Sequence, residues 1–310
     1  MKKTTTILCL GIALCMLGCS DDDDQVTTTS TVPFSLTASL SPRSSDAEDT
    51  GILQGNWDAN SQLAVIKTGS SGVPKSILTR KTDSSDTFTG NLSTLVKNEN
   101  EIAVFYPAAA ITATSSDTLT QTLNLSGQDG TLAGITNYDY LWAQCKAGMN
   151  ETTGSSACEM TSLVTIGKFQ FTVNGGSPLN NITRITITAT AGTLYSSAVM
   201  KLKNGEFSST QTGNITIKNK AGISGTTYIS FFPSEAQLHF TLVTTTGEVY
   251  EAATSTTIKL EKGKVYEAPA LTCTLLPSAK PASVLSMPWM MRTAISRPPC
   301  PLLHSDASWH

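Results

Sequence analysis

The feature that most constrains this chain is a side-chain alternation with a period of two that recurs along most of its length. In KFQFTV (168–173), Phe169, Phe171 and Val173 share one face while Lys168, Gln170 and Thr172 share the other, and NGG follows as a turn. RITITAT (184–190) repeats the pattern, with Ile185, Ile187 and Ala189 set against Arg184 and three threonines. QLAVIKT (62–68), EIAVFY (101–106) and TLTQTLNL (118–125) are further short runs of strand character, and HFTLVTTTGEVYEA (239–252) reads as a hairpin about Gly247. Successive residues of a strand point to opposite sheet faces. Short alternating runs broken by Gly, Asn, Asp and Pro therefore predict an all-β sandwich with one buried face per sheet. No repeat of roughly 20–50 residues is visible, which argues against solenoids and propellers.

The N-terminus is of a different kind. Lys2 and Lys3 precede an apolar run from Ile7 to Leu17. That run is shorter than the roughly 20 residues a helix needs to cross a bilayer, and it reads as a secretory signal peptide. Met16-Leu17-Gly18-Cys19 resembles a bacterial lipobox, with Met16 where Leu is usual, so Cys19 is the expected lipidation site. The other reading is an ordinary cleaved signal that contains a cysteine. Each buried methylene of an acyl chain contributes about 0.8 kcal/mol, so several chains on one residue anchor a protein durably. Asp21 to Asp24 and the Thr-rich QVTTTSTV (25–32) follow as an acidic, polar spacer. The acidic run also resembles the surface-export tag of Bacteroidales lipoproteins.

Loss of Lys2 and Lys3 with the signal takes the formal charge from −3 to −5. A mildly acidic chain with no basic block is not built to neutralise phosphates, so no nucleic-acid partner is expected. Roughly 290 residues remain, enough for two domains of ordinary size.

Cysteine and histidine usage narrows the chemistry. Cys9 and Cys15 depart with the signal. Cys145 and Cys158 flank KAGMNETTGSSA between two predicted strands. They either close a disulfide loop contributing about 3 kcal/mol or remain two partly buried thiols. Cys273 and Cys300 lack metal-ligand spacing, and no CxxC or HExxH occurs, so neither a metal nor a cofactor is expected. Before residue 277 the one histidine is His239, placed by alternation on the polar face opposite Leu238, Phe240 and Leu242. There is no GxSxG, P-loop or GxGxxG, and Glu248 and Glu251 straddle a hairpin strand. No catalytic residue is assigned, and an enzyme is not the expectation. Trp57, Tyr138, Tyr140 and Trp142 are expected in the core rather than on a sugar-stacking platform.

Trp57 in GNWDANSQLAVIK (55–67), NEIAVFYPA (100–108), NYDYLWAQ (137–144), FFPSE (231–235) and LEKGKVYEA (260–268) follow one another in the order seen in Bacteroidales fimbrillin-like proteins. These are the subunits, anchors and tips of type V pili. The resemblance covers about residues 31–276 and lies in the order of the segments together with the lipobox. It implies a signal peptide and lipobox over 1–19, a linker over 20–31, and two tandem transthyretin-like β-sandwich domains, 32–165 and 166–276. It further implies a cell-surface lipoprotein of the outer membrane, acting in cell adhesion with other fimbrial subunits as partners. In polymerising members an Arg-specific protease removes the first strand, and a strand from another subunit fills the groove. By that resemblance VPFSLTASL (32–40) is the removable strand and Arg43–Ser44 the processing point, with Arg80 a rival and an ordinary surface role for Arg43 the plain alternative. A membrane-retained anchor never cut at Arg43, or a surface glycan-binding lipoprotein, are the other functions left open. Asp117-Thr118-Leu119 resembles an O-glycosylation acceptor of the same bacteria.

Residues 277–310 break the pattern, with six of the chain's 13 prolines and two of its three histidines. Proline cannot donate to a strand ladder, so a donor strand is difficult to build there. The segment is either an irregular tail or the product of a reading frame lost after Leu276.

Overall fold

A computed structural model of the protein describes residues 30–41, 56–69, 73–82, 86–112 and 120–277. Among the described residues strand accounts for 59% and helix for 4%, so this part of the chain is nearly all β, as the alternation requires.

The first lobe is a sheet that closes on itself. Its strands are β1 (Thr31–Leu40), β2 (Gln62–Lys67), β3 (Ser76–Arg80), β4 (Thr87–Ser93) and β5 (Glu101–Tyr106). After β6 (Thr120–Asn124), which pairs elsewhere, come β7 (Leu141–Lys146), β8 (Gly148–Met149) and β9 (Gly154–Ser162). The order is β1-β4-β3-β2-β5-β7-β9-β8, and β1 also pairs with β9. Without β1 the ring would be open. Its inward side chains, among them Trp57, Leu63, Val65, Leu78, Phe88, Ile102 and Val104, form one buried cluster with Phe34, Leu36 and Ala38 of β1. Trp57 stands edge-on to Phe88 at 5.0 Å and to Tyr106 at 5.4 Å, geometry that aromatic quadrupoles favour.

The second lobe stacks several small sheets over a larger one. Beyond β10 (Thr165–Phe169), β11 (Phe171–Val173) and β12 (Ser177–Pro178), the long strand β13 (Ile182–Gly192) begins the main sheet. It is followed by β14 (Tyr195–Lys201), β15 (Phe207–Thr212), β16 (Ile215–Ile223), β17 (Thr227–Phe231) and β18 (Ser234–Thr244). Short strands β19 (Val249–Ala253), β20 (Ile258–Leu260), β21 (Val265–Glu267), β22 (Leu271–Thr272) and β23 (Thr274–Leu275) are the last strands of the lobe among the described residues. The main sheet runs β16-β13-β18-β19-β23, and β17-β10-β21 and β12-β11-β22 are separate three-stranded sheets. Phe169, Phe171, Phe231 and Phe240 meet in the core, with ring centroids of Phe169 and Phe240 5.0 Å apart. The hairpin expected about Gly247 is present: Val243 faces Val249, and Gly247 takes φ +83°, which a side chain would strain.

One expectation from the alternation is corrected. Lys168 lies on the nominally polar face of KFQFTV, yet it is 6% exposed. Its strand β10 is the central one of its sheet, so both edges are occupied. Its ammonium lies 3.6 Å from the Glu267 carboxylate on β21, the partner a buried cation requires.

The lobes interlock through the chain between residues 120 and 142. β6 joins the second lobe as the third strand of a β15-β14-β6 sheet, with Leu123 opposite Ala198. The buried Gln128 side chain accepts from Ser230 N at 2.7 Å and donates to Ser230 O at 3.2 Å, completing a ladder as a backbone amide would. A one-turn helix, α1 (Leu132–Ile135), is N-capped by Thr131, whose hydroxyl accepts from Gly134 N at 2.9 Å. The Trp142 indole, on β7, donates to Leu202 O at 2.8 Å.

Candidate functional site

The structural element that most resembles a working part is β1 and the slot it fills. Thr31 to Thr37 run antiparallel to β4 over seven consecutive pairs, and Phe34 to Leu40 run parallel to β9 over seven more. Val32, Phe34, Leu36 and Ala38 point inward with 8, 2, 0 and 0% exposure. Pro33 sits where β4 alone flanks the strand, a position that tolerates a missing N–H.

The slot is shaped by small residues opposite a large one. Phe34 pairs with Gly90 on β4 and with Gly154 on β9. A Cβ on Gly154 would lie 2.7 Å from Phe34 Cδ2, and a Cβ on Gly90 would lie 2.6 Å from Ile77 O. Gly154 on β9 therefore leaves room for the Phe34 ring, while Gly90 on β4 lets that strand lie close against Ile77 and Leu78 of β3. Toward the other end, the Trp57 indole donates to Ala38 O at 2.6 Å and Ala38 N donates to Asp86 O at 2.8 Å. Ser41 N donates to Met160 O at 3.0 Å. Each end of the slot opens into a cavity. One of about 410 Å³ lies beside Val32, Val96 and Met149, and one of about 220 Å³ lies beside Leu40, Met160 and Lys264.

Of the residues singled out from sequence, Cys19, Arg43, Ser44, Asp117 and the segment from Ser278 onward lie outside the described residues. Arg80 closes β3 and pairs with Phe88 in the β3–β4 ladder, whereas proteases prefer exposed loop tips. Cys145 and Cys158 are both free thiols, half-buried against the first-lobe core. Interaction with the neighbouring thiol holds Cys145 below its usual pKa and raises that of Cys158, and Cys158 Sγ donates to Met160 Sδ at 3.9 Å. Ser156 Oγ also donates to Cys145 Sγ at 3.2 Å. Cys273 is buried in the second lobe.

The aromatic residues sit in or against the core. Trp57 and Tyr140 are buried, and Tyr138 and Trp142 pack against the cluster of the second lobe. Tyr140 donates to Asn124 O at 2.6 Å, and burial pushes its phenol up to about 12. His239 stands on the partly exposed face, 3.7 Å from Glu251 on β19. Among the described residues no group of three or more His, Cys, Asp or Glu side chains could hold a metal.

Gly90, Gly154 and the Trp57 clamp were not singled out as site residues from sequence. A glycine interrupting a strand pattern, as in TFTGNLS, signals a bulge or a close approach, and Gly90 is the close approach.

A profile of fimbrillin-like proteins matches residues 48–270. The chain thus belongs to the fimbrillin-like family. No curated protein matches it in sequence. Among solved structures, it is similar to a candidate cell adhesion protein from Bacteroides ovatus at 16% identity. That alignment covers 80% of this chain and 97% of the other, with a TM-score of 0.49. A candidate cell adhesion protein from Bacteroides fragilis matches at 12% identity, 83% and 100% coverage and a TM-score of 0.49. A fimbrial assembly protein from Parabacteroides distasonis matches at 12%, 79% and 98%, with 0.35.

Proposed function

We propose that this chain is a structural subunit or accessory component of a surface pilus, acting in cell adhesion, and that β1 is its removable strand. In this reading the protein is exported as a lipoprotein through Cys19, reaches the outer-membrane surface, and is cut between Arg43 and Ser44 by an Arg-specific protease. Its two lobes are transthyretin-like sandwiches divided near residue 165, with β6 crossing the division. A strand from another fimbrial subunit then replaces β1 by β-augmentation.

The observation that carries the reading is that β1 alone closes the first-lobe ring, between β4 and β9. Removing it would leave two sheet edges with unpaired backbone groups over an apolar floor, an arrangement that pairs readily with an added strand. Burying a Val, Phe or Leu side chain contributes about 1.5–3 kcal/mol. The three large inward residues of β1 together are thus worth about 4.5–9 kcal/mol, comparable to the whole stability of many domains. A strand held so firmly does not leave unaided, and its loss creates a strong demand for a replacement.

The same firmness favours a second reading, a membrane-retained anchor that keeps β1. The test is to cleave the full chain with an arginine-specific protease, wash out the released strand under mild denaturant, and measure binding of a peptide spanning residues 31–41. Removing a buried Phe ring costs about 3–5 kcal/mol, so a peptide carrying Phe34→Ala should bind at least about 100-fold more weakly. Cleavage that never occurs at Arg43, or equal binding of both peptides, would overturn the reading.

A further inference from the structure

β9 runs antiparallel to β7 at one end and to β8 at the other, and the stretch between those two pairings is not laddered. Leu141 pairs with Ser162 and Trp142 with Thr161 at one end. At the other, Gly148 pairs with Ser155 and Met149 with Gly154. All four pairs keep one offset, so no residue is inserted between them, and that offset sets Cys145 directly opposite Cys158. Among the described residues no ladder pairing joins Ala143–Ala147 to Ser156–Met160. The middle of β9 is held instead by β1, with Cys158 beside Ala38. Both thiols face the cluster that β1 completes, and the Ser156 hydroxyl of β9 bridges toward β7, donating to Cys145 Sγ at 3.2 Å or to Lys146 O at 2.7 Å.

From this geometry we infer that Cys145 and Cys158 are a cross-strand disulfide site that ties β7 to β9 where the backbone ladder is missing. A disulfide needs Cα atoms roughly 4.4–6.8 Å apart, and the common offset of the flanking pairs sets the two residues across from each other. Closure is a thiol–disulfide exchange, with a protein or low-molecular-weight disulfide as oxidant. The Cys145 thiolate attacks one sulfur of that disulfide, forming a mixed disulfide and releasing one thiolate. Cys158, losing its proton to water, then attacks Cys145 Sγ, and the second thiolate leaves. The two protein thiols are oxidised to one S–S bond and the oxidant is reduced to two thiols. The consequence for assembly rests on the proposed removal of β1: with that strand gone, this bond ties down the middle of β9, between its end pairings with β7 and β8, as the wall of the slot.

The test uses the full chain equilibrated with glutathione disulfide, then alkylated and mapped by peptide mass spectrometry. The expected result is a linked peptide pair containing Cys145 and Cys158 as the majority species, with Cys273 alkylated. Hydrogen exchange at residues 156–160 should be at least about tenfold slower in the oxidised chain than after reduction. Cys145→Ser and Cys158→Ser chains should show the reduced rate in both buffers. Independent alkylation of both thiols after oxidant treatment would overturn the site, and a linked peptide without slower exchange would overturn its role as a tie. A chain that keeps residues 31–43 on cells would defeat the strand-removal reading and leave the linked peptide untouched.

Discussion

Phe34 carries more of the first lobe than any other single side chain of β1. Its ring fills the space that Gly154 leaves on β9 and lies at the register position opposite Gly90 of β4, and it is 2% exposed. Phe34→Ala should therefore destabilise the first lobe by about 3–5 kcal/mol in a denaturant titration. Gly154→Val tests the same fit from the other wall. Its side chain would collide with Phe34 and Met149, so hydrogen exchange across residues 32–37 should quicken while that of β18 stays unchanged. Tyr140 gives a pH signature. Burial raises its phenol from 10 to about 12, so the folded state holds that proton more tightly than the unfolded chain does. The resulting stability is fully present below about pH 10 and is lost as pH rises toward 12. Ultraviolet titration should show this tyrosine ionising late and together with loss of structure; ordinary ionisation near 10 in the intact fold would contradict the burial argument.

At the scale of elements, the strands were legible where side chains alternate and partners lie close in sequence. The Gly247 hairpin and the buried face of β13 follow directly from Ile185, Ile187 and the turn residues. The position of β1 was not carried by such a pattern. VPFSLTASL announces a strand, but nothing local says that it will lie between β4 and β9, the latter more than a hundred residues away. That pairing is decided by which edges the rest of the ring leaves open. Lys168 shows the opposite failure: period two assigned its face, but its burial beside Glu267 depends on β21, which lies far along the chain and outside the local pattern. The Cys145–Cys158 opposition was half legible, since a short polar loop between strands suggested proximity while only the register fixes direct opposition. If the element account holds, a chain with both Leu36→Asp and Ala38→Asp should fail to seat β1. The Trp57 indole would then lose its Ala38 acceptor, read as a fluorescence shift toward that of solvated tryptophan.

For the whole molecule, the lobes share chain rather than merely adjoin. β6, Leu125, Gln128 and α1 precede residue 165 in sequence but pack with the second-lobe core. A fragment of residues 166–276 lacks β6 and the Gln128 bonds to Ser230, and it should be unfolded or aggregated by circular dichroism and gel filtration. A fragment of residues 120–276 should fare better. The chain belongs to the fimbrillin-like family and its first-lobe ring is closed by a single N-terminal strand; the central proposal built on these is that the molecule loses β1 and accepts another strand. The most direct measurement is the N-terminal sequence and intact mass of the protein recovered from the cell surface. The account predicts a chain beginning at Ser44. A chain still beginning at acylated Cys19, with β1 attached, would contradict it and make the protein a retained anchor.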